Sequence, residues 1–256
     1  MESTSKSKAV VLTVILPGYA LAVPKVTVVP LTGGCSALPG YNSTTGIAGP
    51  WIARADSTGN SALDGLPLSI APFTNDGTDR FGFVRHSTDL PKCPLPDANT
   101  QVTLPKQPPR LGGGQTVSFR CASSRLQASL PAAQFYPDDP SLEPKYVDLV
   151  ISTEENWQAS FGFNLSPSVP VEAYAHYDES GKRVEGVFLG AAGKTEVALK
   201  YNWGGNAGEY YLVRLNGGVE GLVGGEIEKG EGKEKRQDGF PVLDDRDWTG
   251  FLKIVG

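Results

Sequence analysis

The sequence predicts an all-β protein, an antiparallel β-sandwich of jelly-roll type with roughly ten strands, long Pro/Gly-rich loops and a flexible C-terminal segment. Three observations support this fold class. Apolar and polar residues alternate with a period of two in a series of short runs. The 31 glycines and 20 prolines among 256 residues indicate frequent tight turns. Apolar residues at helical spacing extend no further than a short turn.

The first 22 residues have the pattern of an export signal. Two lysines precede the uncharged, mostly apolar run Ala9–Leu16, and the small residues of Ala20–Ala22 follow as a cleavage site. A membrane anchor is the alternative, but a spanning helix needs about 20 apolar residues and this run is far shorter. The sequence therefore predicts a signal peptide over residues 1–22, a mature chain from Val23, and secretion.

The first half of the chain contains strand-like runs between Pro- and Gly-rich loops. The predicted strands are Val26 to Val29, Trp51 to Ala55, Phe81 to His86 and Val117 to Cys121. Leu126, Leu130 and Ala133 lie at helical spacing, so a short helix is expected near Ser123–Phe135, limited in length by a proline within it.

The second half carries the clearest alternation. Six runs separated by turn residues are predicted as antiparallel strands: Tyr146 to Thr153, Trp157 to Leu165, Val171 to Tyr177, Val184 to Leu189, Thr195 to Trp203 and Glu209 to Leu215. Together with the first half they predict one β-sandwich domain over residues 23–215.

Residues 216–256 differ in composition. Gly, Glu and Lys dominate their first part, which predicts a flexible tail. Lys235-Arg236 in this segment matches a dibasic processing site, although a charged run contains such a pair by chance. The end of the chain regains Trp248, Phe251 and Ile254, and whether it docks on the domain or hangs free is left open by the sequence.

Charge and cysteine content restrict the possible partners. The net charge of −5 provides no electrostatic footprint for nucleic acid. Cys35, Cys93 and Cys121 predict one disulfide in an oxidising compartment, with all three pairings open. With two histidines and no Cys-x-x-Cys, no metal site is expected, and no nucleotide-binding motif predicts a cofactor.

Two N-glycosylation sequons occur in the chain. Asn42 begins Asn-Ser-Thr in a Gly/Pro-rich loop, and Asn164 begins Asn-Leu-Ser on the polar face of its predicted strand. Both are predicted as exposed glycosylation sites.

One strand carries a polar constellation that resembles an acid–base site. Alternation over Val171–Asp178 places Glu172, Tyr174, His176 and Asp178 on one face. A hairpin centred on Ser180-Gly181 would set His176 opposite Glu185 and Asp178 opposite Arg183. A carboxylate beside a histidine raises the imidazole pKa and can orient it for proton transfer. The alternative is a solvated sheet face with ordinary cross-strand charge pairs.

A second candidate site is aromatic. The segment that contains Tyr201, Asn202, Trp203 and Asn206 places aromatic rings and amides at a strand end beside a Gly-rich turn. This combination can stack on a sugar ring while hydrogen-bonding its hydroxyls. Trp203 also continues the apolar face of its strand, where it would be a core residue instead.

These observations predict a secreted, non-enzymatic extracellular protein that binds a polysaccharide or a protein partner, with no membrane span. The first alternative is a secreted hydrolase that uses Glu172, His176, Asp178 and Glu185. The second is a factor that acts on a foreign host. The sequence contains no Gly-x-Ser-x-Gly or His-Glu-x-x-His motif that would name a reaction, and it leaves the oligomeric state open.

Overall fold

A computed structural model of the chain describes residues 23–73, 81–87, 115–130, 145–154, 158–203, 209–218 and 246–255. Over these ranges the protein forms a 16-stranded antiparallel sheet and one short 3-10 helix, Gly34–Ala37. The predicted all-β antiparallel fold is confirmed, whereas the sandwich arrangement of its layers stays a prediction. The strands are more numerous than expected, in part because the predicted strand over residues 146–153 is divided in two at Leu149.

The first eight strands in chain order are β1 (Thr27–Pro30), β2 (Ala48–Asp56), β3 (Leu68–Phe73), β4 (Phe81–Ser87), β5 (Gln115–Thr116), β6 (Phe119–Ala122), β7 (Arg125–Leu130) and β8 (Lys145–Asp148). The remaining eight are β9 (Val150–Ser152), β10 (Phe161–Phe163), β11 (Ser168–Pro170), β12 (Glu172–Tyr177), β13 (Val187–Gly190), β14 (Glu196–Trp203), β15 (Glu209–Leu215) and β16 (Trp248–Val255).

The main sheet runs in the order β11-β9-β10-β4-β15-β14-β16-β2-β6-β7-β8, and its two ends meet at one residue. Leu149, between β8 and β9, donates its N–H to the carbonyl of Leu126 on β7 at 2.8 Å. Its own carbonyl accepts the N–H of Val171, just after β11, at 3.1 Å. Hydrogen bonding therefore continues from one end of the order to the other, and the sheet curls round on itself.

The core follows from the alternation along these strands. Residues at every second position of the paired strands point to one side and are buried there, such as Val197 and Leu199 on β14 opposite Leu215 and Val213 on β15. All four side chains are 0% exposed, so this part of the face that the alternation predicts as apolar is fully buried.

The last strand corrects the predicted extent of the flexible tail. Trp248–Val255, which the sequence analysis assigns to the tail over residues 216–256, forms β16 in the middle of the sheet between β14 and β2. Phe251, Leu252, Ile254 and Val255 are buried, because the strand is covered on both faces. Lys235-Arg236 and residues 1–22 lie outside the described residues.

The helix expected near Ser123–Phe135 is wrong, because β7 occupies Arg125–Leu130. Leu126 and Leu130 are four residues apart, a spacing that fits a helical turn and also two periods of a strand. Ala128 between them is buried as well, so the alternating pattern decides the structure.

A disulfide ties the start of the domain to its interior. Cys35, in the 3-10 helix, is bonded to Cys121 on β6, and both cysteines are buried. This selects one of the three pairings that the sequence left open. Cys93 lies outside the described residues.

Replacing the disulfide by Cys35→Ala with Cys121→Ala is expected to lower the free energy of unfolding by about 2–4 kcal/mol, because the bond closes a loop with a sequence separation of 86 residues. Urea unfolding followed by circular dichroism measures this change. Cys93→Ala, which leaves the bond intact, is the control. An equal loss of stability in the control and the double variant would contradict the assignment.

Candidate functional site

His176 on β12 is a core residue, 1% exposed. Its ring stacks on Phe188 of β13, with centroids 3.6 Å apart and planes within 4° of parallel. The ring of Phe251 on β16 meets it edge-on at 4.6 Å. The imidazole is therefore packed between aromatic side chains from two neighbouring strands.

One polar contact holds the ring. Nε2 of His176 lies 2.8 Å from the hydroxyl of Thr195, whereas Nδ1 is buried and has no hydrogen-bond partner in the structure. The pKa of His176 is lowered to about 4, mainly by burial; the negative charge of Asp56 opposes this shift, and the positive charge of Lys253 adds a smaller lowering effect. The imidazole is therefore neutral at pH 7.

The predicted solvated face around His176 is wrong, and so is the predicted register of its hairpin. Tyr177, not Asp178, lies opposite Arg183, and the N–H of Asp178 donates to the carbonyl of Lys182 at 2.9 Å. The partner segment is therefore shifted by one residue, so that Val184 rather than Glu185 lies opposite His176, and Glu185 falls on the other face.

The carboxylates of the predicted constellation are spread apart. Glu172 is exposed and accepts a hydrogen bond from the buried hydroxyl of Tyr174, whose pKa is raised to about 12 by burial and by this carboxylate. The carboxylate of Asp178 accepts hydrogen bonds from the hydroxyl of Ser180 and from the backbone N–H of Lys182, which lower its pKa and hold the turn.

Glu185, the fourth member of the constellation, is exposed in the irregular segment between this turn and β13. The structure therefore does not bring the four predicted residues together around the imidazole. The histidine stabilises the packing of β12 on β13 and β16.

The second candidate site lies at the end of the β14–β15 ladder. Tyr201 is half-buried, opposite Tyr211, and their rings meet edge to face at 5.8 Å. The guanidinium of Arg246 lies 4.4 Å from the centroid of Tyr201. Asn202 is half-buried opposite Tyr210. Two further residues were predicted for this site. The side chain of Trp203 and the whole of Asn206 lie outside the described part of the structure.

A carboxylate from the far end of the chain anchors this site. The side chain of Asp247, 0% exposed, forms a salt bridge with Lys200 and accepts the backbone N–H of Tyr201 at 2.7 Å. The residues that precede β16 therefore fix the end of β14 where the aromatic candidates lie.

Side chains opposite one another in an antiparallel ladder share a face. On the face that carries Asn202 and Tyr210, the next two pairs are Lys200 with Leu212 and Ala198 with Arg214. Leu212 in turn pairs with Arg85 on β4. We call this surface the arginine face; it consists of Arg85, Lys200, Asn202, Tyr210, Leu212 and Arg214.

The arginine face holds its tyrosine next to a cation. The guanidinium of Arg85, whose residue is 6% exposed, lies 5.1 Å from the centroid of the Tyr210 ring. A guanidinium at this distance is attracted by the negative face of an aromatic ring. Tyr210 is consequently held by a buried neighbour while it stays partly accessible.

Sequence reasoning missed Tyr210, Tyr211 and Arg214, although a signal for them existed. Pairing the two predicted strands about their Gly-rich turn would have set Tyr211 against Tyr201 and Tyr210 against Asn202. Asp247 and Arg246 carried no such signal, because they reach the site from a segment about which the sequence leaves docking open.

Both predicted glycosylation sites are exposed. The side-chain oxygen of Asn42 accepts the backbone N–H of Thr44 at 2.8 Å in a turn. Asn164 lies immediately after β10 rather than on its polar face, with a φ of +52°.

No protein-family model matches the chain, and no curated protein matches it either. In the part of the chain that the structure describes, no helix is long and apolar enough to cross a membrane. The same residues contain no group of three or more His, Cys, Asp or Glu side chains placed to hold a metal ion. The chemistry of the arginine face and its aromatic end therefore carries the functional argument.

Because the pKa of His176 lies below the ordinary value of 6.5, the unfolded chain binds a proton more readily than the folded one. The neutral imidazole contributes its full stability above pH 6.5, and that contribution is lost as the pH falls from 6.5 towards about 4. The loss amounts to about 3 kcal/mol at most.

His176→Gln, which cannot titrate, is expected to remove this part of the pH dependence. Urea unfolding at a series of pH values between 7 and 4 compares the variant with the unaltered protein. A slope of stability against pH that is the same in both proteins would show that His176 does not titrate in this window.

Proposed function

We propose that this protein is a secreted, non-enzymatic extracellular protein that binds a polysaccharide on the arginine face. The observation that carries the proposal is the pair formed by Asn202 and Tyr210, half-buried and opposite one another on adjacent strands. A tyrosine ring supplies an apolar surface for a sugar ring, and a neighbouring amide both donates and accepts hydrogen bonds with sugar hydroxyls.

The position of this pair supports a binding role. Both residues are on paired strands, and Arg85 and Asp247 hold the surrounding side chains and backbone through the contacts described above. Binding groups fixed before the ligand arrives lose less conformational entropy on binding. The aromatic end therefore suits recognition of a repeating polymer.

Two features support the proposed secretion. The disulfide between Cys35 and Cys121 is of the kind that forms and persists in oxidising compartments. Asn42 is exposed, as an acceptor for N-linked sugar must be, and we propose that it and Asn164 are glycosylated.

The hydrolase alternative draws less support from the geometry. General acid–base catalysis needs a titratable group within hydrogen-bond reach of the substrate. His176 is 1% exposed, and its Nε2 contacts Thr195, so a substrate has no access to the imidazole. Glu185 is exposed on an irregular segment and does not lie opposite His176 as predicted.

Retention of the purified protein on a panel of insoluble polysaccharides tests the proposal. Tyr210→Ala is expected to lower the affinity for a retaining polysaccharide by about tenfold, since a partly exposed aromatic anchor contributes about 1–2 kcal/mol to binding. Tyr41→Ala removes an exposed tyrosine that lies in a loop outside the arginine face, and it serves as the matched control.

We expect the Tyr41 variant to bind as the unaltered protein does. Lack of retention on every polysaccharide, or equal affinities of the Tyr210→Ala and Tyr41→Ala proteins, would overturn the proposal. Equal thermal unfolding temperatures of the variants show that a difference in retention does not come from misfolding.

A further inference from the structure

The guanidinium of Arg214 has a buried N–H donor without a hydrogen-bond partner. It lies on β15 opposite Ala198, and its backbone forms a bridge with Ser160, which is buried. The residue is half-buried, and its Nε is inaccessible to solvent and has no hydrogen-bond partner in the structure. A buried donor without an acceptor costs free energy, so its presence in a structure calls for an explanation.

The carboxylate that acts electrostatically on Arg214, that of Asp247, does not fully compensate this charge. The carboxylate of Asp247 is already held by Lys200 and by the backbone N–H of Tyr201. Burial lowers the pKa of Arg214 more than the negative charge of Asp247 raises it. The guanidinium therefore keeps its charge in an environment that lacks a dedicated counter-ion among the described residues.

The arginine face carries two further positive charges. Arg85 and Lys200 lie on the strands that flank β15, and their side chains are on the same side of the sheet as Arg214. Counting Asp247 and Glu196, which the alternation along β14 places on the same face as Lys200, this part of the surface carries three cations and two carboxylates. The excess of positive charge on this face attracts an anionic group of a ligand, which the accessible part of the Arg214 guanidinium can receive.

We infer that the polysaccharide bound by this protein carries carboxylate groups, and that Arg214 receives one of them through its guanidinium. This inference rests on the proposed function and adds the chemical class of the ligand to it. A guanidinium presents a planar pair of N–H donors that matches the two oxygens of a carboxylate.

The spacing along β15 explains why a polymer fits this face better than a single sugar. Arg214 and Tyr210 are four residues apart on one strand, a distance of about 14 Å. One sugar unit does not reach from the tyrosine ring to the guanidinium, whereas a chain of several units does. The net charge of −5 of the whole protein acts weakly at this site, because salt screens exposed charges beyond about 8–10 Å.

The test compares polygalacturonate with its fully methyl-esterified form, which has the same backbone without the charges. The unaltered protein is expected to bind polygalacturonate about tenfold more tightly in affinity electrophoresis or retention assays. Arg214→Gln is expected to abolish this preference while keeping the affinity for the methyl ester, and Arg214→Lys to keep part of it.

Arg125→Gln is the matched control, because it removes an exposed arginine at the start of β7 and is expected to keep the full preference. Raising the NaCl concentration is an independent readout that needs no variant, and it is expected to weaken binding to polygalacturonate but not to the ester.

The outcomes separate the two proposals. Retention of neither polymer overturns this inference, and if no other polysaccharide is retained it overturns the proposed function as well. Equal binding of both polymers overturns the acidic ligand and leaves polysaccharide binding standing. A preference that persists unchanged in Arg214→Gln overturns the role of Arg214.

Discussion

The C-terminal strand β16 holds the described sheet together. Its residues pair with β14 on one side, with β2 on the other, and with β13 beyond the end of β14. Leu252 at its centre is 0% exposed and packs in the core. Without this strand β14 and β2 would have no common neighbour, and β12 and β13 would lose their connection to the main sheet.

Both candidate sites depend on the same strand. Phe251 provides the edge-on ring against His176, and Lys253 helps to keep that imidazole neutral. Asp247, which directly precedes the strand, fixes Lys200 and the backbone of Tyr201. The proposed binding face therefore exists in this form because the end of the chain returns to the sheet.

The sequence predicts those strands of which one face is buried and the other is exposed to solvent. β15 has the predicted bounds, Glu209–Leu215, because its core positions alternate with polar ones. β16 was missed, because both faces of its C-terminal half are buried and Phe251-Leu252 breaks the alternation. The environment of His176 was mispredicted because a second buried face leaves no mark in the alternation. A polar residue in an alternating strand indicates a solvated face, yet aromatic rings from β13 and β16 cover the imidazole. Contacts such as Lys200 with Asp247, 47 residues apart, leave no local pattern.

A chain that ends at Asp247 tests this account most directly, because it removes β16 and retains the carboxylate that binds Lys200. Thermal unfolding followed by circular dichroism compares it with a chain shortened by Gly256 alone. The account predicts that the shorter chain loses the cooperative unfolding transition, while the control keeps it. A cooperative transition at the same temperature in both chains would show that the last strand is dispensable and would contradict the account.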